Sequence, residues 1–344
     1  MQNIINFCKK AAIFLPCIAL LAVSGDWIGL AVDFDSRVGS SRSGVISVNR
    51  EEVYRGPNPF EDFTFEKKEE TRRPAAQPNP NYNVENLFFT SEESDIVLKK
   101  DACYVKNMTH LSAGEVKNIM LQPVSFTVKK NSRQPQILIM HTHATESYVP
   151  DANTPYDPSY AFRNTDTSLN MVAVGRKMAE TLNSLGYNTL HDSTLHDYPS
   201  YNGSYDNSKR TVEKYLEKYP SIKIVLDVHR DAVERDGRII NPVTSINGKE
   251  YAQIMIISGA DNGYMNMPNY KENLKFASAV QNRAAKSYPG LMRPILFDYR
   301  NYNQQLTTGS ILVEMGTHGS TLQQAKNSAE AFAHSLAAAL DEMG

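Results

Sequence analysis

Cysteine is scarce in this chain of 344 residues: three are present, Cys8, Cys17 and Cys103, and two of them fall in the N-terminal apolar region. The one left in the remainder cannot build a disulfide framework or a cysteine-based zinc site. Excess charge is missing as well. Lys and Arg number 36 against 38 Asp and Glu, a formal net charge of −2, so nothing draws the chain in bulk toward nucleic acid or acidic surfaces. No internal repeat is visible, which excludes a repeat array. Sustained periodicity is lacking between about Asp33 and Asn131, so that stretch offers little from which to build a core of its own.

The N-terminus reads as a membrane-targeting segment. Lys9 and Lys10 precede an apolar run from Ala11 to Ser24, and the sequence Gly25-Asp-Trp-Ile-Gly-Leu-Ala-Val32 follows. The run alone spans about 21 Å, short of the roughly 30 Å hydrocarbon core, which fits a secretory signal with Ala22-Val-Ser24 as its small-residue cleavage site. Extended to Val32 it reaches about 33 Å and spans as an anchor, with Asp26 inside at a cost of up to about 3 kcal/mol. Either form exports the rest of the chain, because the lysines hold the N-terminus in the cytoplasm. Residues 1–32 are therefore a signal peptide or an N-terminal membrane anchor. Residues 33–95, with the Pro/Asn linker Arg73-Pro-Ala-Ala-Gln-Pro-Asn-Pro-Asn-Tyr82, read as a largely disordered tether. The expected location is extracytoplasmic, tethered to the membrane, or secreted if the signal is cleaved. The folded domain is expected over 96–344, with Ile96-Val-Leu98 and Val124-Ser-Phe-Thr-Val128 as short strands joining it.

From Gln136 strands and helices alternate. Strands are expected at 137–140, 187–190, 222–228, 251–258, 294–297 and 311–313. Helices are expected at 169–185, stopped by Gly186, at 208–219, at 273–288, and at 321–343 behind a capping-box start at Ser320-Thr-Leu-Gln323. This alternation predicts an α/β fold: a mostly parallel sheet with helices on both faces. Ligands of such sheets bind beyond the carboxyl ends of the strands.

Three of those ends carry chemistry. Ile137-Leu-Ile-Met140 runs into His143-Ala-Thr-Glu146, Ile222–Val228 ends on His229, and Ser310–Val313 ends on Glu314. Two imidazoles and a carboxylate match the ligand set of a catalytic zinc site, which leaves one position for water. His143, Glu146 and His229 are the candidate zinc ligands. Glu314, a carboxylate at the end of an apolar strand, is the candidate general base that takes the proton of a zinc-activated water and passes it to the leaving nitrogen. His141 and His143, two residues apart, could chelate together. His143 alone has the H-x-x-E spacing, which leaves His141 as a group behind the ligands. Arg230 is a candidate for a substrate carboxylate or polarised carbonyl, and Asp231 for orienting an imidazole or pairing with Arg230. His191, His196, Asp197 and His318 read as solvated loop residues at the rim. The aromatic stretches Tyr198-Pro-Ser-Tyr201 and Tyr299-Arg-Asn-Tyr-Asn-Gln-Gln305 fit a sugar- or peptide-binding groove, and fit ordinary exposed loops equally. His110 and His334 carry no pattern.

In Ile137-Leu-Ile-Met-His-Thr-His-Ala-Thr-Glu-Ser-Tyr148, Leu226-Asp-Val-His-Arg-Asp-Ala232 and Leu312-Val-Glu-Met-Gly-Thr-His318 the chain resembles the stage II sporulation protein P family. Val174-Gly175 and His196-Asp197 fit as well, and the resemblance covers roughly Cys103 to Gly344. That family is similar to zinc-dependent N-acetylmuramoyl-L-alanine amidases with a phosphorylase/hydrolase-like fold. The resemblance implies cleavage of the amide between N-acetylmuramic acid and L-alanine, endopeptidase activity on peptide cross-links, and partnership with stage II sporulation proteins D and M. It sets His143 and His229 at the amidase histidine ligands and Glu314 at the catalytic glutamate. One departure stands out. The common amidases take a glutamate ligand from the start of the helix after the first strand, where this chain has only Asp166 nearby. Glu146 stands in for it, in the manner of H-x-x-E zinc carboxypeptidases. The expectation is thus an exported zinc amidase acting on peptidoglycan. The alternatives are a zinc carboxypeptidase or endopeptidase on wall peptides, and a non-catalytic wall-binding scaffold.

Overall fold

Residues 78–344 are described in the computed structural model. The signal or anchor segment and the first part of the tether lie outside the described residues. In chain order the elements are β1 (Val84–Leu87), β2 (Val97–Lys100), β3 (Cys103–Asn107), α1 (Ala113–Ile119), β4 (Ile137–Met140), α2 (Met171–Ser184), β5 (Thr189–His191), α3 (Ser204–Lys218), β6 (Ile224–Asp231), β7 (Glu234–Arg235), β8 (Arg238–Ile246), β9 (Lys249–Ala252), β10 (Ile254–Gly259), α4 (Tyr270–Ser287), β11 (Ile295–Asp298), β12 (Gly309–Thr317) and α5 (Leu322–Met343).

The main sheet has the order β2-β3-β11-β10-β12-β6-β4-β5. All neighbours pair in parallel except β2–β3 and β10–β12, which are antiparallel. A mostly parallel sheet needs cover on both faces, and this explains the unbroken apolar strands. All four side chains of β4 are buried. Ile137 and Ile139 join the cluster of α2, α4 and α5, with Val174, Met178, Leu274 and Leu336. Leu138 and Met140 join Val212 and Tyr215 of α3 on the other face. Helices therefore flank the sheet on both faces, as expected, with three long ones on one face and one on the other.

Helix ends follow local chemistry. Asn170 caps α2 by accepting a hydrogen bond from the Val172 amide (3.0 Å). The capping box of α5 is one residue later than its sequence signal: Thr321 and Gln324 form it. Ser320 is engaged elsewhere, donating to Oδ1 of Asn241 (2.8 Å) and accepting from the Thr317 amide (3.1 Å).

Three parts differ from the sequence expectation. Residues 78–95 were assigned to the tether, yet β1 pairs in parallel with β8, the Asn79 amide donates to the Pro150 carbonyl (2.9 Å), and Tyr82 is buried. A short edge strand supplied with a partner needs no apolar periodicity of its own. The stretch expected as one strand over 251–258 is divided at Gln253. Its side chain accepts from the Phe89 amide (2.7 Å) and donates to the Phe89 and Gly290 carbonyls (2.9 Å each). The part before it, β9, forms a hairpin with β8 through Asn247-Gly248, both at positive φ (53° and 74°), in the second, smaller sheet. The third difference is Val124–Val128, which forms no strand, although Phe126 and Val128 are buried against the core.

Candidate active site

The strands β12, β6 and β4 are adjacent, so their carboxyl ends lie side by side. Glu314 and His229 are register partners across β12 and β6. The β12–β6 register then shifts between Glu314 and Thr317, where Gly316 adopts φ +75° and a Cβ would stand 2.5 Å from Ser320 Oγ. This irregularity interrupts the ladder just past Glu314, and pairing resumes at Thr317 and Asp231. His143 and Glu146 follow β4 in a turn closed by the Glu146 amide donating to the His143 carbonyl (3.1 Å).

The four principal candidates are buried and gathered together. The rings of His143 and His229 are 5.2 Å apart and nearly perpendicular. Nδ1 of His229 lies 3.6 Å from Oε2 of Glu146, and its Nε2 lies 2.7 Å from Oδ1 of Asp227. Asp227 is fixed in turn by Thr142, whose amide donates to Oδ1 (2.8 Å) and whose hydroxyl donates to Oδ2 (2.7 Å). Burial opposes a charge on His229, but Asp227, Glu146 and Glu314 prevail and raise its pKa to about 9. His143, where burial dominates, falls to about 4 and stays neutral. Burial also pushes Glu146 and Asp227 upward. The cations around Glu146, Arg230 first, and the imidazole and hydrogen bonds at Asp227, prevail and hold both below the usual carboxylate range. Glu314 is the opposite case: burial, reinforced by Asp231 and Glu146 against His229 and Arg293, lifts it to about 8.

The remaining candidates take other roles. Arg230 is not available to a substrate. Its amide donates to Glu146 Oε2 (3.2 Å), its Nε to the Ser147 carbonyl (2.8 Å) and its Nη2 to the Phe162 carbonyl (3.0 Å), so it braces the loop beside Glu146. Asp231 pairs neither with Arg230 nor with an imidazole. It meets Arg293 Nη1 at 2.8 Å, because β6 turns its side chain toward that arginine. His141 is fully buried on the α2 side: its Nδ1 donates to the Val228 carbonyl (2.8 Å), which leaves Nε2 to accept from His191 Nε2 (2.9 Å). Gly175 admits this pair, since a Cβ there would stand 2.4 Å from His141 Nε2. Asp166 is exposed and holds its own turn, accepting from the Ser168 amide (2.8 Å) and hydroxyl (2.7 Å).

The rim residues read as solvated loops are in fact buried or paired. His196 donates from Nδ1 to the His141 carbonyl (2.8 Å), and His318 is buried against Phe162 with ring centroids 4.8 Å apart. Asp197 accepts from the Thr145 hydroxyl (2.6 Å) and Arg163 Nη1 (2.7 Å), which anchors the His143 turn to the loop after β5.

Sequence reasoning passed over Asp227, which lies inside the apolar run of β6. A lone acid in a strand buried on both faces, two residues before a histidine and hence on its face, was the available signal. Of the aromatic wall it flagged the stretches holding Tyr201 and Tyr302, as a groove or as ordinary loops equally, and passed over Tyr205. Tyr201 stacks on His143 at 4.6 Å and 13°, with the Arg163 guanidinium 4.8 Å from its ring centroid. Tyr205 meets His143 edge-on at 5.4 Å and stacks on Tyr302 at 5.3 Å.

Among the described residues, no group of three or more His, Cys, Asp or Glu side chains is preset around one ion position. The donors present nonetheless fit a zinc ion. The 3.6 Å between His229 Nδ1 and Glu146 Oε2 is near the roughly 3.3 Å expected for two ligands each about 2.0 Å from one tetrahedral ion. His143 Nδ1 and Glu314 Oε2 are buried without hydrogen-bond partners. Asp227 against the far nitrogen of His229 matches the carboxylate that usually backs a ligating imidazole.

Fold and site together define an α/β domain with a buried histidine–carboxylate cluster at the strand ends. The stage II sporulation protein P (SpoIIP) family profile matches residues 43–337, and the chain belongs to this family. It is 30% identical to stage II sporulation protein P of Bacillus subtilis (strain 168) over 210 residues, 57% of this chain and 49% of that protein. The match thus spans about half the length of that relative. Among solved structures, N-acetylmuramoyl-L-alanine amidase AmiC2 of Nostoc punctiforme is 14% identical, covering 60% of this chain and 96% of that one at a TM-score of 0.33. The CwlD amidase from Clostridioides difficile, in complex with the GerS lipoprotein, is 13% identical, with coverage of 60% and 98% and a TM-score of 0.34. Likenesses this distant assign neither residues nor activity.

Proposed function

We propose that this chain is an exported, membrane-tethered peptidoglycan hydrolase that cleaves the amide between N-acetylmuramic acid and L-alanine with the help of zinc. The observation that carries this reading is the meeting of His143, Glu146, His229 and Glu314 at three adjacent strand ends, in a member of a sporulation-protein family. His143, His229 and Glu146 would hold the ion, with Asp227 fixing the His229 ring. Zinc, when bound, supplies a Lewis acid and a water acidic enough to ionise near neutral pH. Glu314 takes the proton of the attacking water and delivers it to the amide nitrogen, which leaves as the amine of L-alanine. Stage II sporulation proteins D and M are the partners this reading carries with it.

The test is muropeptide analysis after purified cell wall is digested by the protein, with and without a chelator. New L-alanine amino ends that vanish with the chelator are expected. No such ends, or activity indifferent to the chelator, would sink the reading. The second reading, a zinc carboxypeptidase or endopeptidase on stem peptides, is favoured by one observation: the acid beside His229 is the H-x-x-E glutamate, Glu146, and not an acid at the start of α2. It would release peptide fragments with the muramoyl link intact.

A further inference from the structure

We infer that Tyr205 is a catalytic hydrogen-bond donor, its phenol O–H placed to bond the scissile carbonyl oxygen as that oxygen gains charge. This rests on the hydrolase reading above. The ring is held from two sides, edge-on to His143 and stacked on Tyr302. Tyr302 is itself fixed, its hydroxyl accepting from Arg300 Nη1 (2.6 Å). The backbone is fixed too: Tyr205 stands in the first turn of α3, and its carbonyl accepts from Asn303 Nδ2 (2.8 Å). Among the described residues no acceptor takes the O–H of Tyr205, whose ring contact with His143 holds it at the wall of the cluster. No proton is transferred and no bond to Tyr205 forms: the phenol keeps its proton while the hydrogen bond strengthens. A donor that gains strength only as charge develops lowers the barrier without tightening substrate binding.

The experiment uses the zinc-loaded protein on a soluble muramoyl-peptide fragment. Tyr205→Phe keeps the ring and both ring contacts and deletes only the hydroxyl. It should lower kcat about tenfold to a hundredfold with KM within about twofold. Zinc content and thermal midpoint should be unchanged. Replacing Tyr205 with 3,5-difluorotyrosine, a more acidic donor of nearly the same shape, should restore kcat to the wild-type value or above it. Wild-type cleavage with kcat undiminished in Tyr205→Phe, or a change confined to KM, overturns the assignment and leaves the hydrolase reading standing. If neither wild type nor variant cleaves the muramoyl amide, the hydrolase reading fails and takes the assignment with it.

Discussion

Glu314 gives the sharpest quantitative test, because its role as a base and its burial make opposite demands. Its carboxyl is raised from 4.5 to about 8 in the folded chain. Between those two values the unfolded chain has lost this proton and the folded chain keeps it. The folded state therefore binds more protons, and stability must fall as pH rises. At about 1.4 kcal/mol per pH unit, raising the pH from 5 to 8 should remove about 4 kcal/mol from metal-free wild type through this one group, and little more above pH 8. Glutamine mimics the protonated carboxyl and does not titrate. Glu314→Gln should therefore match wild type near pH 5 and be more stable by several kcal/mol at pH 8 and above. Against its burial, His229 is raised to about 9 chiefly by Asp227, with Glu314 the last of its causes, so most of its tilt is common to both proteins. The assay is urea unfolding with a chelator at pH 5, 6.5, 8 and 9. Two stability curves that stay parallel across that range would refute the burial argument. The same variant should lose activity by at least about a hundredfold, since it has no base.

Because His229 and Glu314 both hold protons at pH 7, zinc binding should release between one and two protons per ion. Calorimetric titration in buffers of different ionisation enthalpy reads this directly, and buffer-independent heats would count against His229 as a ligand. Gly175→Ala would press a methyl group to 2.4 Å from His141 Nε2 and 2.8 Å from His191 Nε2. It should lower stability by about 1–3 kcal/mol, visible in the thermal midpoint; an unchanged midpoint would show that the imidazole pair yields freely. Arg230→Lys keeps the charge but cannot reach the Ser147 and Phe162 carbonyls together. A loss of about 3 kcal/mol in urea unfolding is expected, while wild-type stability would mean the loop is held by its other contacts.

What the sequence made legible was what period and strand-end position encode. β4, β6 and β12 announced themselves as unbroken apolar runs because they are covered on both faces. The same runs pointed at His143, His229 and Glu314 as the side chains just beyond the cover. The less legible parts depend on partners far away in sequence. β1 is ordered by pairing with β8, some 155 residues on, and nothing within Val84–Leu87 records that. Asn247-Gly248 is a hairpin signal that went unread, and the split at Gln253 follows from bonds to Phe89 and Gly290. Arg230 and Asp231 looked like site residues because they adjoin His229. Alternation along β6 turns Arg230 toward the loop after β4, while Asp231, on the face of His229, is engaged by Arg293.

Arg230 also shows how the site is joined to the segment before β1. Its amide holds Glu146 and its guanidinium holds the carbonyls of Ser147 and Phe162. Phe162 packs against His318 on one side and, at 5.6 Å, against Tyr82 on the other. The Tyr82 hydroxyl reaches the Asp157 carbonyl (3.1 Å). The loop that shapes the Glu146 side of the cleft is thus clamped between one arginine of β6 and an aromatic residue just before β1. A buried guanidinium with both bonds made costs far more to displace than the few surface contacts of an ordinary connecting segment. Glu146 is therefore placed by the core of the sheet, although it lies in a turn.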